Sequence, residues 1–491
     1  MSYKRILIGV ILIIGTLIFC SGCQNNPDKN VIVSKQEDTF SDSSITVEGD
    51  VSESNVTTIS YNSSFASTDG SVNFNMDITQ DISMSNLPVI QVRPHYLTSE
   101  DAKTVAFSLF PDAVFYEAES PLSENFSKSE IQEKLSRWTQ YANMNSIEEL
   151  FGESESSTTL DIIKSYIEEY TTMYEQAPEE NPHRPCEWTM RKASEYMLLE
   201  EDLSVADYSN DNDEICTQCT VDGIPYRLSV TTRNQSDFKV NIITCCIDDG
   251  LSPRNIDERI FAAKLCRTEE PSEARLMSLQ AKAEQLLLQF NLGQWEIDDC
   301  YVETRYIGNY PEYIVYVTAV PILNDVPVLR HPQLTALRNK DGYALNQYLS
   351  DVQFVFSPNG DLISFTLYTP LEVQNIVTEN ANVMTFNNLL ACAEEYFTLT
   401  DFYNYGFGEY LFFIQEDVQC NVSVSDFTYG LSRIKVPDSE DSYYYVPSII
   451  LKGTSEYIGK ETGKTYYLSD GLETFMVINA VDGSLINSTN A

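Results

Sequence analysis

The segment Ser272-Glu-Ala-Arg-Leu-Met-Ser-Leu-Gln-Ala-Lys-Ala-Glu-Gln-Leu-Leu-Leu-Gln-Phe290 decides the fold class of this chain. Its apolar residues recur three or four positions apart, which predicts an amphipathic helix. Asn291-Leu-Gly293 follows and predicts the end of the helix, because asparagine and glycine accept the left-handed backbone of a helix terminus. Five predicted strands come next: Trp295–Ile297, Tyr313–Val320, Val326–Leu329, Gln353–Phe356 and Leu362–Tyr368. One helix followed by several strands indicates an α+β unit.

The same order returns in the last part of the chain. Thr385 caps a helix whose apolar residues continue to Phe397. Predicted strands follow at Tyr410–Ile414, Asn421–Ser425, Tyr443–Leu451 and Phe475–Asn479. A final hairpin turn closes each unit, at Asn359-Gly360 in one and Asp482-Gly483 in the other. We therefore predict an α+β fold of tandem modules, each with a helix or helices packed on a curved antiparallel sheet.

The first folded part contains alternating strands before residue 95 and then a well-marked helix start at Thr98-Ser-Glu-Asp101. A hydroxyl at the cap and acids in the first turn stabilise a helix N-terminus. The predicted organisation is a signal peptide, a flexible tether, an N-terminal α+β module with a helical insertion, and two further α+β modules. The signal peptide spans 1–22 and the tether 23–44. The N-terminal module spans 45–255, and the two further modules span 256–375 and 376–491.

The N-terminus has the layout of an export signal. Lys4 and Arg5 precede an apolar run from Ile6 to Phe19, which is shorter than the roughly 20 residues that a spanning helix needs. Ser21-Gly22-Cys23 resembles the end of a bacterial lipobox, although Cys20 stands where a leucine is commoner. The resemblance implies that Cys23 is diacylated and anchors the chain on the extracytoplasmic side of the cell membrane. An uncleaved anchor or an ordinary signal peptide are the alternatives.

The acidic composition restricts the partners. The formal charge of the 491 residues is −42, and loss of Lys4 and Arg5 with the leader would make it −44. Such a charge repels polyanions, so we expect no nucleic-acid binding. The chain is 43% hydrophobic, which is enough to build real cores and excludes general disorder.

Two repeated turns carry a further resemblance. Asp222-Gly-Ile-Pro-Tyr226 and Asn324-Asp-Val-Pro-Val328 each place a turn before a branched residue and a proline. With the lipobox and the closing hairpins, they resemble the uncharacterised lipoproteins common in clostridia. They are more distantly similar to PepSY-like modules and to extracytoplasmic YycH/YycI-type regulators of a sensor kinase. The regulator likeness implies a protein–protein role, but those regulators usually keep a membrane helix.

Eleven cysteines leave nine once Cys20 and Cys23 are set aside, and an odd number argues against a fully paired disulfide framework. The only cluster contains Cys186, Cys216, Cys219, Cys245 and Cys246. Buried thiols are the favoured interpretation of this cluster. Disulfides and a four-thiolate zinc site are the alternatives.

Catalytic and metal-binding motifs are scarce. The three histidines, His95, His183 and His331, belong to no HExxH motif, and no GxSxG accompanies them. Alternating oxygen side chains at Asp207, Asp211 and Asp213 are weak candidates for a calcium loop, since the glycine is missing and Gln218 stands where a bidentate glutamate belongs. We predict no catalytic residue, no cofactor and no firm metal site.

Tyrosine and phenylalanine are abundant. The stretch Phe402–Phe413 and the triplet Tyr443–Tyr445 could stack on sugar or peptide, but core packing is the favoured interpretation. From the sequence we expect a lipid-anchored, non-enzymatic surface protein that binds a protein or cell-envelope ligand in sensing, assembly or regulation. The alternative is a surface hydrolase or solute-capturing protein acting on glycans or peptides. The ligand-binding residues are not predicted.

Overall fold

The computed structural model describes residues 56–68, 70–83, 87–118, 126–143, 153–179, 183–192, 212–233, 241–247, 265–307, 310–330, 337–338, 344–345, 350–399, 417–436, 439, 442–466 and 473–486. The predicted signal peptide, the tether and the predicted strand Tyr410–Ile414 lie outside these residues. None of the helices in the described ranges is long and apolar enough to span a membrane.

Five helices occur in the described residues. They are α1 (Ser99–Leu109), α2 (Lys128–Asn143), α3 (Glu153–Gln176), α4 (Glu273–Phe290) and α5 (Phe386–Leu399). The strands before α4 are β1 (Val56–Ala66), β2 (Val72–Ser83), β3 (Val89–Pro94), β4 (Tyr116–Glu117), β5 (Arg191–Lys192), β6 (Asn212–Val221), β7 (Ile224–Arg233) and β8 (Asn241–Ile247). The later strands are β9 (Trp295–Ile307), β10 (Tyr310–Leu323), β11 (Val326–Pro327), β12 (Leu337–Arg338), β13 (Ala344–Leu345), β14 (Asp351–Phe356), β15 (Leu362–Tyr368), β16 (Leu371–Thr378), β17 (Val418–Lys435), β18 (Tyr443–Gly459), β19 (Thr465–Tyr466) and β20 (Glu473–Asn479). The predicted α+β class is confirmed.

Most strands belong to two sheets. The eight-stranded sheet has the order β1-β2-β17-β18-β3-β16, with β19 and β20 also paired to β18. The ten-stranded sheet has the order β11-β10-β14-β15-β8-β7-β6-β4, with β5 on β6 and β9 on β10. All pairs in the ten-stranded sheet are antiparallel, whereas β2 and β17 of the eight-stranded sheet run parallel.

Strand pairing crosses the predicted module bounds at 255/256 and 375/376. In the ten-stranded sheet, β8 pairs with β15. In the eight-stranded sheet, β2 pairs with β17, and β3 pairs with both β16 and β18. Each sheet therefore combines strands that are hundreds of residues apart in the chain. Turn residues specify which neighbours form a hairpin, but they carry no information about pairing between distant strands.

Helices cover one face of each sheet. In the ten-stranded sheet, α1 and α4 contribute Val105, Leu279 and Phe290 to a core that also contains Phe354 and Phe365. On the eight-stranded sheet, α5 packs its buried residues Leu389, Leu390, Ala393 and Phe397 against strand residues such as Phe74. The pair α2 and α3 forms a smaller core of its own around Trp138. A separate apolar cluster joins residues of β3, β11, β17 and β18 where the two sheets meet.

Local sequence rules account for the ends of these elements. Thr98 and Asp101 form a capping box at α1, and Asn291 ends α4 with a left-handed φ of 55°. The repeated turns both join strands in tight hairpins, with positive φ at Asp222 and Gly223 in one and at Asn324 and Asp325 in the other. Two successive positive φ angles define the turn that matches the twist of two antiparallel strands.

Candidate functional site

The two faces of the ten-stranded sheet differ in polarity. Successive side chains of a strand point to opposite faces. The inner face, which α1 and α4 cover, carries residues such as Val230, Ile243 and Phe365, all with an exposed fraction of 0%. The residues between them point the other way, and they are mainly hydroxyls and amides at intermediate exposure. We call this second surface the outer face.

One continuous line of polar side chains crosses the outer face. Residues directly opposite each other on paired strands share a face, so the register brings seven side chains into one line, here called the polar row. It runs through Cys216 (β6), Ser229 (β7), Thr244 (β8), Thr366 (β15), Gln353 (β14), Thr318 (β10) and Asp299 (β9). With strands about 4.8 Å apart, the row is roughly 29 Å long.

Side chains at the centre of the polar row lack partners. Among the described residues, the side chains of Thr244, Gln353 and Thr366 make no hydrogen bond to another side chain or to the backbone. The same holds for Ser364, which lies two residues before Thr366 on β15 and on the same face. Thr318 Oγ1 is buried and also has no partner there. A buried hydroxyl without a partner costs about 1–3 kcal/mol. The centre of the outer face therefore has unused capacity to donate and accept hydrogen bonds.

The β6 end of the polar row is already engaged. Ser229 Oγ donates to Glu214 Oε1 at 2.6 Å, and Arg227 Nε donates to Cys216 Sγ at 3.0 Å. The free hydrogen-bonding groups are therefore concentrated on β8, β14 and β15.

Two tyrosines stand beside the other end of the row. Tyr301 and Tyr316 are opposite each other on β9 and β10, with ring centroids 5.2 Å apart and an interplanar angle of 13°. Arg305 donates to the Tyr316 hydroxyl at 2.8 Å and also forms two hydrogen bonds with Glu303. Burial, assisted by the hydrogen bond with Glu303, raises the pKa of Tyr316 to about 12. Tyr316 is therefore fixed and neutral, while Tyr301 is 42% exposed.

A buried carboxyl group lies at the edge of the outer face nearest the eight-stranded sheet. Asp351 pairs with Tyr368 across β14 and β15, and its Oδ2 lies 3.5 Å from Arg330 Nη2. Loss of hydration raises the pKa of Asp351, Arg330 lowers it in part, and the negative charge of Asp298 raises it further. Asp351 Oδ1 has no partner among the described residues.

The predicted anchor and most of the predicted calcium loop cannot be compared with the structure. Cys23, Asp207 and Asp211 lie outside the described residues, so both sites stay predictions. Asp213 lies in β6, opposite Lys192 on β5 and Thr232 on β7. No group of three or more metal-binding side chains occurs in the part of the chain that the structure describes.

The cysteine cluster is divided between the two faces of the sheet. Cys219 and Cys245 are buried in the core on the inner face, whereas Cys216 and Cys246 point to the outer face. Residues three apart, or adjacent, on an extended strand point in opposite directions, so these four thiolates cannot surround one zinc ion. No disulfide joins any of the nine cysteines in the described ranges. Burial raises the pKa of Cys219 to about 12 and that of Cys245 well above its usual value, which makes both poor nucleophiles.

The described histidines have structural partners. His95 Nε2 lies 3.1 Å from Asp101 Oδ2, and this hydrogen bond raises the pKa of His95. His183 Nε2 lies 2.5 Å from Glu130 Oε1. Within the described ranges, no serine, threonine or cysteine side chain hydrogen-bonds to His95. Asp101 serves the capping box of α1 as well, so the His95–Asp101 pair orders a helix start.

Of the two aromatic segments, only Tyr443–Tyr445 lies among the described residues. Phe402–Phe413 and His331 lie outside the described residues. Tyr445 is 2% exposed in the cluster between the sheets, as expected for core packing, and Tyr443 packs beside it under the Arg433 guanidinium, 4.5 Å from the ring centroid. The sequence did not predict the stacked pair of Tyr301 and Tyr316 on β9 and β10. Alternation in segments such as Ser364-Phe-Thr366-Leu-Tyr368 reveals two-faced strands, but it does not reveal which polar residues become neighbours.

Comparison with known proteins adds little to this geometry. No family model and no curated protein matches the chain. A solved structure to which it is similar is described as an uncharacterised protein from Eubacterium rectale ATCC 33656. That protein is 11% identical, with a TM-score of 0.33, over 87% of this chain and 93% of the other. A likeness at this level carries no argument about function.

Proposed function

We propose that this protein is a lipid-anchored, extracytoplasmic lipoprotein without enzymatic activity. It binds a protein or cell-envelope ligand in sensing, assembly or regulation. The leader and Ser21-Gly22-Cys23 support the anchor and the location at the cell membrane. The observation that carries the binding role is the outer face, where polar side chains without partners lie in one line across the ten-stranded sheet. Unused hydrogen-bonding capacity on a rigid sheet favours a surface prepared for a ligand.

The side-chain contacts of the potential nucleophiles and bases among the described residues favour binding over catalysis. A nucleophilic enzyme needs a serine or cysteine within hydrogen-bond reach of a base. Among the described residues, His95 hydrogen-bonds to the carboxylate of Asp101 and to no serine, threonine or cysteine side chain. The thiols of Cys219 and Cys245 are held protonated by burial.

A surface hydrolase acting on glycans or peptides is the second candidate. The observation in its favour is Asp351, a carboxyl group whose raised pKa suits a general acid. Its contact with Arg330 instead suits a structural ion pair. Release of reducing sugar or peptide by the wild type, lost in Asp351→Asn, would favour the hydrolase over the binder.

The anchor is tested by fatty-acid labelling and cell fractionation. Cys23→Ala should abolish labelling and release the chain from the membrane, and Cys20→Ala is the matched control that should change neither. Labelling that persists in Cys23→Ala and disappears in Cys20→Ala would contradict the assignment of the lipid to Cys23.

The binding role is tested by crosslinking in intact membranes. Thr366→Arg places a large cation at the centre of the outer face and should remove the crosslinked species. The control Asn375→Arg changes an exposed residue of β16 in the other sheet, and it should leave that species unchanged. If the wild type gives no crosslinked species, binding at the outer face is refuted. It is also refuted if Thr366→Arg and Asn375→Arg give the same amount of that species.

A further inference from the structure

We infer that the outer face binds a neutral polysaccharide segment, with Tyr301 stacking on one sugar ring and the polar row hydrogen-bonding to the hydroxyls of others. This inference rests on the proposed binding function and adds the chemical class of the ligand. It is supported by the aromatic end of the surface, by its hydrogen-bonding groups and by its charge.

The aromatic end offers one ring face to a ligand. One face of the Tyr301 ring is covered by Tyr316, with the ring centroids 5.2 Å apart, and the residue remains 42% exposed. Tyr316 is held by Arg305, so the pair is a rigid support. The apolar C–H face of a sugar ring is attracted to the negative face of an aromatic ring in the same way as other partially positive edges. Tyr301 therefore supplies a stacking position at low cost in conformational entropy.

The hydrogen-bonding groups match a polyhydroxylated chain. Thr244, Thr366 and Ser364 each contribute a hydroxyl that can donate and accept, and Gln353 contributes an amide with both functions. Ser364 lies two strands, roughly 10 Å, from Tyr316 in the row that begins with the tyrosine pair. Sugar hydroxyls also donate and accept, so they can satisfy these groups without a fixed charge. From Thr244 on β8 to Tyr301 on β9 these groups extend over five strands, roughly 19 Å, which suits an extended chain better than a compact solute.

The charge of the chain disfavours an anionic polymer as the ligand. Two arginines on this side of the sheet are already paired with carboxylates, Arg305 with Glu303 and Arg330 with Asp351. The formal charge of −42 repels phosphate-rich or carboxylate-rich wall polymers. The four central side chains are uncharged, which gives a cationic segment no specific partner there. A neutral glycan is the class of ligand that fits both the uncharged side chains at the centre of the outer face and the net negative charge of the chain.

The test is affinity electrophoresis of the full chain in mild detergent, with laminarin, xyloglucan and galactomannan as neutral probes and polygalacturonate as the anionic probe. At least one neutral probe should retard the wild type, and polygalacturonate should not. Tyr301→Ala should weaken that binding about three- to tenfold, the range expected for one aromatic stacking contact. The double variant Thr244→Val/Thr366→Val should weaken it about tenfold through two lost hydrogen bonds.

Tyr306 provides a matched control. It is on the same strand as Tyr301 and is 72% exposed, but it points to the opposite face because it lies five residues further along. Tyr306→Ala should bind like the wild type. Equal binding by the Tyr301 and Tyr306 variants, or no retardation by any of the three neutral probes, would overturn the inference. The threonine variants keep the test valid if Tyr301→Ala does not fold.

The outcomes separate this inference from the proposed function. If membrane crosslinking captures a species that Thr366→Arg removes, while no neutral probe binds, the glycan inference fails and binding at the outer face stands. If polygalacturonate binds in preference to the neutral probes, the charge argument is wrong and the inference fails as well. If crosslinking and all probes are negative, both proposals fail.

Discussion

Replacement of Gly453 by alanine should open the pair of longest strands in the eight-stranded sheet. Gly453 is buried in β18, opposite Val424 of β17, where the register shifts between Val424 and Asp426. A Cβ atom at this position would overlap the carbonyl oxygen of Ser423. It would also lie 2.8 Å from the Ser423 carbonyl carbon and 2.9 Å from Val424 Cα. All three are backbone atoms, so no side chain can rotate away to make room.

The size of the effect follows from this rigidity. Overpacking in a close-packed region costs about 1–3 kcal/mol, and a backbone obstruction should bring Gly453→Ala to the upper end, about 3 kcal/mol. If the loss is confined to the sheet, amide hydrogens of β17 and β18 should exchange about 100-fold faster than in the wild type. Hydrogen exchange read by mass spectrometry on peptides from these two strands measures this directly.

Gly463→Ala is the control for this experiment. Gly463 has a φ of +68°, and nothing lies within 4 Å of an added Cβ. Alanine at this position should lower the free energy of unfolding by only about 1–2 kcal/mol, because a residue with a Cβ atom is less stable in the left-handed backbone conformation. Faster amide exchange should be limited to the turn after β18. If Gly453→Ala leaves exchange in β17 and β18 at the wild-type rate, or changes it no more than Gly463→Ala does, the overlap argument is wrong.

Two further predictions concern ionisable groups. The hydrogen bond with Asp101 raises the pKa of His95, so its contribution to stability is complete below the usual histidine pKa of about 6.5 and is lost as the pH rises through the folded value. The urea midpoint should therefore fall more between pH 6 and pH 8 in the wild type than in Asp101→Asn, and an unchanged NMR titration of His95 in that variant would contradict the assignment. Cys219 and Cys245 should resist iodoacetamide at pH 8 in the native protein, since burial raises the pKa of both thiols; equal labelling in native and guanidinium-treated protein would show that they are accessible.

The local elements were accessible to sequence reasoning because their causes are local. Thr98 and Asp101 are three residues apart, and their capping box is present at α1. Asn291 ends α4, and Asp222-Gly223 turns β6 into β7. Each of these features depends on backbone preference and on side chains within one turn, so a short stretch of sequence contains the whole cause.

The candidate site was not accessible in the same way. Thr244, Gln353 and Thr366 each appear as one polar residue in an alternating strand. Their alignment depends on the pairing of β8 with β15 and of β15 with β14. A shift of one residue in either register would turn a threonine toward the core and remove it from the row.

The sequence by itself determined the α+β class and the positions of most helices and strands, and its export signal with Cys23 as the lipid site stays a prediction. Only the tertiary structure decided that β1–β3 join a sheet with β16–β18, and that a polar row and a tyrosine pair share the outer face of the other sheet. The physical reason is the range of the interactions. Caps, turns and periodicity act over a few residues, whereas the pairing of distant strands depends on how all the buried apolar faces of the chain are satisfied together.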